Sequence, residues 1–357
     1  MINVSKRARL AGICMILAVS ACVKDARVGA PPVDGMITLK VEIPREYDDA
    51  FLTSRTRANA GTPEESRINN LRFFVFKSNR DSLELYADVA IASDGTSTNP
   101  AWDASSHSLR VVVSPGPKRV YCVANWAETP TVEMPELTAA TIRDTMSLVG
   151  KMRVNRGISP VNPPVMSGRL SITLVGNEST IVIPLARQVA RVGLTGTLSK
   201  TAGLLDALVE IMGVKFARLP GESLLFAGRT LMILPGPSWD EATFASSSVG
   251  MALRAGMIVT YPMFFYVPEN TTTVEKNATV MIIKALYNKT QTFYAVTLNQ
   301  TPPAGQRPFT MSRNYYYNYI LTINGRGADT EPVITPGSRA GDGPAFTNIR
   351  CERVEAW

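Results

Sequence analysis

The chain has 357 residues, 45% hydrophobic and 19% charged, so it can bury a substantial core, and its length predicts two domains. The formal net charge of +7 is weighted toward the start, because the first 57 residues hold nine Lys and Arg against six Asp and Glu, and the remainder holds 28 against 24. Basic residues are scattered singly, without the aromatic interleaving of a nucleic-acid footprint, so nucleic acid is not an expected partner.

The first residues are typical of a secretory signal. Basic residues within 6–9 precede the apolar run 10–19, which is too short to span a bilayer. Small residues at 20–21 directly precede Cys22 and resemble the lipobox of bacterial lipoproteins, in which the cysteine is acylated. We expect a signal peptide over residues 1–21 and a lipid on Cys22; an ordinary signal with Cys22 incidental is the alternative.

Period-two patterning dominates the first half of the chain. The segment Met36–Ile43 places four apolar residues in one phase, Ile37, Leu39, Val41 and Ile43, which predicts a half-buried strand. Further strands are predicted at 71–76, 109–113, 120–124, 170–175 and 180–185. The second and third of these are joined by a Gly/Pro turn and the last two by Gly176-Asn177, so both pairs are predicted to be hairpins.

Strand patterns continue in the second half, at 189–194, 230–234, 258–267, 278–286, 292–298 and 315–323. Helix signals are few. One is predicted over 138–149, with Ile142, Met146 and Val149 on one face and Gly150 as the stop, and a weaker one carries Leu204, Leu208 and Ile211.

Many short strands separated by Gly/Pro turns predict an all-β chain with minor helix, built as two β-sandwich domains. We place the first sandwich at 58–185 and the second at 186–357, preceded by a propeptide at 22–57.

The sequence carries no pattern of an enzyme or a cofactor site. Its single histidine, His107, lies among serines without a nucleophile-elbow motif, so a solvated loop residue is expected. No metal-ligand spacing and no phosphate-binding glycine motif are present, so we expect no metal and no cofactor. Cys122 and Cys351 could form one disulfide in an exported chain, or remain two separately buried thiols.

Four segments together resemble the major fimbrillin family of the Bacteroidia, the FimA-like type V pilins. They are the lipobox ending at Cys22; Arg57-Ala58 before the strand Ile68–Phe76; Met166-Ser167-Gly168 with the later Arg187-Gln188-Val189-Ala190-Arg191; and Tyr266–Asn270 with Arg313–Gly327.

The resemblance implies two transthyretin-like sandwiches and a precursor exported as an outer-membrane lipoprotein. An Arg-specific protease would cut after Arg57, leaving Ala58 as the new first residue, and subunits would then polymerise by strand exchange into an extracellular fimbria that supports adhesion. Expected partners are other copies or paralogous fimbrial subunits. Arg55 lies two residues from Arg57, and the sequence leaves open which of them is cut.

The removable strand gives this scheme a physical basis. Cutting after Arg57 would release Met36–Ile43, whose four apolar residues contribute roughly 6–12 kcal/mol if each buried side chain contributes about 1.5–3. The vacated groove would expose apolar surface and unpaired backbone groups that another chain's strand can cover.

The expected donor is the segment Ala345–Trp357. Its apolar residues fall in two phases, Ile349 with Cys351 and Val354 with Ala356, so a bulge near Glu352 and Arg353 is needed for all four to face one groove.

A different class of function stays open at this stage. The same sandwiches could form a monomeric surface lipoprotein that binds glycans or host proteins through loop aromatics, for which Trp102, Trp126 and Trp239 are candidates. Whether a fimbrial chain would be a stalk, tip or accessory subunit is also left open.

Overall fold

In a computed structural model, the helices and strands that are described are almost all β-strands. The structure describes residues 37–42, 65, 67–106, 108–126, 132–133, 136–150, 152–155, 163–175, 178–200, 205–226, 251–260, 264–334 and 347–356. Within these ranges the strands arise where apolar residues alternate with polar ones. An example is the strand over 208–217, in which Val209 and Ile211 are fully buried and flank the half-exposed Glu210.

The first sandwich packs a four-stranded sheet against a five-stranded sheet. The four-stranded sheet has the order β10-β1-β5-β4, with β1 Ile37–Glu42, β4 Trp102–Asp103, β5 Ser108–Val113 and β10 Glu178–Val182. The five-stranded sheet has the order β11-β9-β6-β2-β3, with β2 Asn70–Lys77, β3 Ser82–Ala90, β6 Gly116–Ala124, β9 Met166–Leu174 and β11 Ala186–Arg187.

The five-stranded sheet is buried on both faces. Its inner face supplies Phe73, Val75 and Cys122 to the core shared with the four-stranded sheet, here called the inner core. Its outer face supplies Phe74 and other residues to a second core, the outer core, whose buried members are Phe74, Phe76, Tyr121, Val123, Trp126, Leu137, Ile142, Leu148, Val165, Leu225 and Phe226. Successive side chains of one strand therefore enter different cores, which explains the nearly continuous apolar run of β2.

The second sandwich is formed by two further sheets around the largest core. One has the order β16-β12-β20-β21, and β17 also pairs with β12; the strands are β12 Val189–Leu198, β16 Ile258–Thr260, β17 Phe265–Pro268, β20 Tyr315–Ile323 and β21 Thr347–Ala356. The other has the order β15-β13-β18-β19, with β13 Leu208–Ala217, β15 Met251–Arg254, β18 Val280–Tyr287 and β19 Thr290–Thr297.

A small fifth sheet has the order β14-β8-β7, with β7 Val132–Glu133, β8 Met152–Asn155 and β14 Glu222–Leu224. Its strands come from both halves of the chain.

The two predicted hairpins are wrong. β5 and β6 are consecutive but lie in opposite sheets of the first sandwich, and the same holds for β9 and β10. Between the members of each pair, the chain passes from one sheet to the other instead of reversing within a sheet. The reason is that β6 is paired on both sides, by β2 and β9, so it offers no edge to β5.

The helix predicted over 138–149 is reduced to α1, Thr145–Val149. Asp144 adopts an extended conformation and caps the helix by accepting a hydrogen bond from the Ser147 amide at 2.6 Å, so the helix begins only at Thr145. Met146, predicted to be on the buried face, is 63% exposed, whereas Leu148 is fully buried.

The second predicted helix is also wrong, because Leu208 and Ile211 lie in the strand β13. Leu204 lies outside the described residues. In the part of the chain that the structure describes, no helix combines the length and the apolar character needed to cross a membrane.

Gly168 on β9 provides a test of the packing between β9 and the chain that follows β10. A Cβ at this position would lie 2.3 Å from the Pro184 carbonyl oxygen, so we expect Gly168→Ala to lower the free energy of unfolding by about 1–3 kcal/mol. Ser171 is exposed on the same strand, and Ser171→Ala should change it by less than about 0.5 kcal/mol. Urea unfolding measures the free energy of unfolding of both variants. Equal effects would contradict close packing of Gly168 against Pro184.

Candidate functional site

The strand β1 occupies the interior of the four-stranded sheet. All six of its residues are in antiparallel register with β5, from Ile37 opposite Val113 to Glu42 opposite Ser108. The register matches the apolar residues Ile37, Leu39 and Val41 with three core residues of β5, which are Val113, Val111 and Leu109. The predicted strand is therefore present, and its apolar phase matches the buried phase of its neighbour.

On its other side β1 is paired with β10. This pairing is parallel and runs from Thr38 opposite Glu178 to Glu42 opposite Val182. β5 and β10 do not pair with each other, and within the described residues β1 is the only strand partner of β10. Removal of β1 would therefore leave a groove with unpaired backbone groups on both of its walls.

The floor of this groove is apolar. Leu109, Val111 and Val113 from β5 and Ile181 from β10 belong to the inner core, packed against the five-stranded sheet. A vacant groove would expose part of this core to water, which is unfavourable in proportion to the apolar area uncovered. The site can thus hold one extended segment, by backbone pairing along two edges and by apolar contact below.

A buried ion pair lies next to the end of β5 at which Ile37 pairs. Ser114 follows β5 directly, and its amide and hydroxyl donate to Glu84 Oε1 at 2.7 and 2.5 Å. Lys118, only 2% exposed, donates to the other Glu84 oxygen and to the Ser114 hydroxyl, the latter at 2.8 Å. Burial alone raises the pKa of the Glu84 carboxyl, but the hydrogen bonds from Lys118 and Ser114 outweigh it and hold the pKa below its usual value.

Several predicted positions lie outside the described residues. They are Cys22, Ile43, Arg57, Ala58, His107 and Trp239. Their roles remain predictions.

The predicted donor segment forms β21, an edge strand paired antiparallel with β20 of its own sandwich. The register passes from Asn318 opposite Arg353 to Tyr319 opposite Cys351, so Glu352 is the extra residue of a bulge. This is the place at which the sequence pattern requires one. Ile349, Val354 and Ala356 lie in the same strand, opposite Leu321, Tyr317 and Tyr315.

The structure does not join Cys122 and Cys351 in a disulfide. Cys122 is buried in the inner core of the first sandwich and Cys351 in the core of the second, so each cysteine packs with a different set of apolar residues. Burial in this apolar setting raises the pKa of the Cys122 thiol well above its usual value, which keeps it protonated and unreactive. Of the two alternatives, separately buried thiols is the one observed.

Two of the four family-like segments, the third and the fourth, meet at the junction of the two sandwiches. Arg187 is the last residue of β11 in the first sandwich, and Val189 is the first of β12 in the second. Ser167 and Gln188 from the third segment and Arg313 from the fourth are all buried there within one hydrogen-bonded group. The motifs are thus junction residues, a role that their spacing did not show.

Glu65 was not recognised as a junction residue from the sequence. Only 1% exposed, it lies 3.5 Å from Arg191 Nε and accepts a hydrogen bond from the Tyr266 hydroxyl. A lone glutamate in a polar segment is usually solvated, so sequence alone provided no signal for its burial.

Of the three candidate tryptophans, the two in the described part of the chain are at least partly buried. Trp126 is buried in the outer core, and Trp102 is half-buried with its indole N–H donating to the Gly95 carbonyl at 3.2 Å. Within the described ranges, no group of three or more His, Cys, Asp or Glu side chains could hold a metal ion.

The fold and the interior β1 define a class, that of chains with two β-sandwiches in tandem. Residues 37–198 match the profile of the family described as major fimbrial subunit protein (FimA). Over 322 residues the chain is 24% identical to the major fimbrium subunit FimC of Porphyromonas gingivalis, covering 88% of this chain and 65% of that relative's length.

Solved structures share the fold over most of the chain. A putative cell adhesion protein from Parabacteroides distasonis aligns with a TM-score of 0.63 at 18% identity, covering 90% of this chain and 97% of that one. A fimbrilin (FimA) from Porphyromonas gingivalis aligns with a TM-score of 0.53 at 15% identity, covering 90% and 97%. The resemblance to the FimA-like fimbrillin family and the sandwich fold expected from it are therefore confirmed.

The depressed pKa of Glu84 predicts an acid-sensitive contribution to stability. Because the folded pKa lies below the ordinary value of 4.5, the contribution is present above that pH and is lost as the pH falls through the folded value. We expect Glu84→Gln to lower the free energy of unfolding by about 2 kcal/mol near neutral pH, with the deficit shrinking on acidification.

Urea unfolding of both chains at a series of pH values measures the deficit. Glu178→Gln, at an exposed position of β10, is the matched control and should show little difference from the wild type. A Glu84→Gln deficit that does not change with pH would contradict the prediction.

Proposed function

We infer that this chain is a non-enzymatic structural subunit of a cell-surface fimbria, which assembles with other copies or paralogous fimbrial subunits and supports adhesion. One observation carries the inference: β1 is an interior strand, and the sheet around it is complete only while the groove between β5 and β10 is filled. The family match begins at Ile37, the first residue of this strand.

In the proposed pathway the precursor is exported as a lipoprotein, held at the outer membrane by acylated Cys22, and cut after Arg57 by an Arg-specific protease. The chain order supports this step, because Arg57 falls between β1 and β2. A single cut there would disconnect β1 from every later strand. What keeps β1 in place afterwards is only non-covalent pairing, which a competing strand can replace.

The replacement strand is proposed to be the segment Ala345–Trp357 of a neighbouring subunit. Among the described strands, β21 pairs only with β20, so it can leave its sheet without breaking a second described ladder. Leaving would also withdraw Cys351 from the core of the second sandwich. Donation therefore requires that the free energy gained by pairing in the neighbour's groove exceed the free energy lost when β21 leaves β20.

Locking β1 in its sheet should block assembly. The register places Lys40 opposite Arg110, which is exposed, and directly opposed Cα atoms of antiparallel strands are close enough for a disulfide. We expect the oxidised Lys40→Cys, Arg110→Cys variant to be cut by the protease yet to remain monomeric, and to assemble once a reductant is added.

Multimers on unboiled SDS gels and fibres in electron micrographs provide the readout. The control is Arg110→Cys alone, which should assemble with or without reductant. The buried native thiols Cys122 and Cys351 should not interfere. Fibres formed equally well by the oxidised double variant would show that β1 need not leave.

The proposed cut fixes the start of the assembled subunit. Amino-terminal sequencing or mass spectrometry of purified fibres should find Ala58 as the first residue. A first residue at 56 would move the cut to Arg55, and fibres built from chains that begin at Cys22 would refute proteolytic maturation.

A further inference from the structure

The segment Glu222–Phe226, here named the crossover segment, belongs to the second half of the chain but packs on the first sandwich. It follows β13, a strand of the second sandwich. Its strand β14 pairs antiparallel with β8, from Glu222 opposite Val154 to Leu224 opposite Met152. The chain thus enters the second sandwich after Gln188 and then returns to the first.

The crossover segment ends in two apolar anchors. Leu225 is fully buried and Phe226 is 2% exposed, and both belong to the outer core on the first sandwich. The Phe226 ring meets the Tyr121 ring edge-on, with the centroids 5.0 Å apart. Tyr121 lies in β6, a central strand of the five-stranded sheet, so the anchor reaches the middle of the first sandwich.

Between the anchors and the second sandwich lies a buried polar group centred on the Leu225 carbonyl. This oxygen accepts from the Ser167 hydroxyl at 2.5 Å, from Arg313 Nη1 at 3.2 Å and from the Gln188 side-chain amide. Arg313 Nη1 also donates to Gln188 Oε1 at 3.0 Å, and Arg313 Nη2 lies 2.6 Å from a Glu269 carboxylate oxygen.

The three donors come from three separate elements. Ser167 is on β9 of the first sandwich, Gln188 lies between the sandwiches, and Arg313 precedes β20 of the second. All three are buried. A partial separation of the sandwiches would break some of these hydrogen bonds and leave buried polar atoms without partners, which is unfavourable. The hydrogen-bonded group should therefore open as a whole.

A second set of polar contacts between the two sandwiches involves Glu65, which precedes β2 in the chain. The Glu65 carboxylate faces Arg191 of β12 and Tyr266 of β17, and the Glu65 carbonyl accepts from Arg187 Nε at 3.3 Å. The Arg191 guanidinium also lies 3.6 Å from the centre of the Phe264 ring.

We propose that the crossover segment, with the polar group around its Leu225 carbonyl, locks the two sandwiches into one rigid and cooperative unit. Two sandwiches joined by one linker would move relative to each other, because interfaces between domains are ordinarily small. Here the anchors must leave the outer core before a hinge can open. The value of such rigidity to a fibre rests on the proposed function, but the rigidity itself is a property of the single chain.

The test uses the full chain as a monomer, with spin labels on Arg110→Cys in the first sandwich and Lys289→Cys in the second, both exposed positions. Electron–electron resonance should give one narrow distance distribution. Phe226→Ala should broaden it and split the single calorimetric unfolding transition into two. Phe216→Ala is a matched truncation inside the core of the second sandwich. It should lower the transition temperature while keeping one transition and a narrow distance distribution.

Should Phe226→Ala not fold, Ser167→Ala removes one donor to the Leu225 carbonyl while leaving the anchors in place, and it should broaden the distribution to a smaller extent. A distribution as narrow as that of the wild type in every folded junction variant would overturn the proposal. The experiment measures no assembly, so this result would not bear on the proposed strand exchange. Likewise, a failure of strand exchange would not bear on the proposed rigidity.

Discussion

The pairing of β1 with two strands that do not pair with each other is the constraint on which the first sandwich depends. β5 runs antiparallel to β1 and β10 runs parallel to it, so both obtain much of their backbone pairing from the same six residues. A buried backbone edge without partners is unfavourable, and so is an uncovered apolar floor. An occupant of this groove therefore stabilises the sandwich whether it comes from the same chain or from another one.

The second sandwich contrasts with the first in how it is closed. Its core includes Cys351 from β21, the segment expected to fill a neighbour's groove. Under the proposed exchange, the same strand would have two competing places, at the edge beside β20 or in a groove with partners on both sides. Two-sided pairing satisfies more backbone groups than one-sided pairing, which would give the proposed exchange a physical direction. The junction between the sandwiches is separate from both sites, so exchange at one end need not disturb it.

Much of the fold could be predicted because strand patterns are local. The alternation in 36–43 and the run 315–323 appear as β1 and β20 nearly as expected. Hairpins were predicted wrongly because a turn reverses the chain without specifying whether the next strand joins the same sheet. The helix over 138–149 was too long because the extended backbone of Asp144 overrides an apolar spacing that fits a helix.

By itself the sequence determined much of the strand content, the apolar strand over 36–43 and the resemblance to the fimbrillins, since these depend on residue types and short spacings. Only the tertiary structure decided that β1 is an interior strand, that Cys122 and Cys351 lie in separate cores, and that Ser167, Gln188 and Arg313 meet at one carbonyl. Each of these depends on contacts between residues far apart in sequence. Such contacts are set by how sheets stack and by where the chain crosses between them, and no local pattern encodes either.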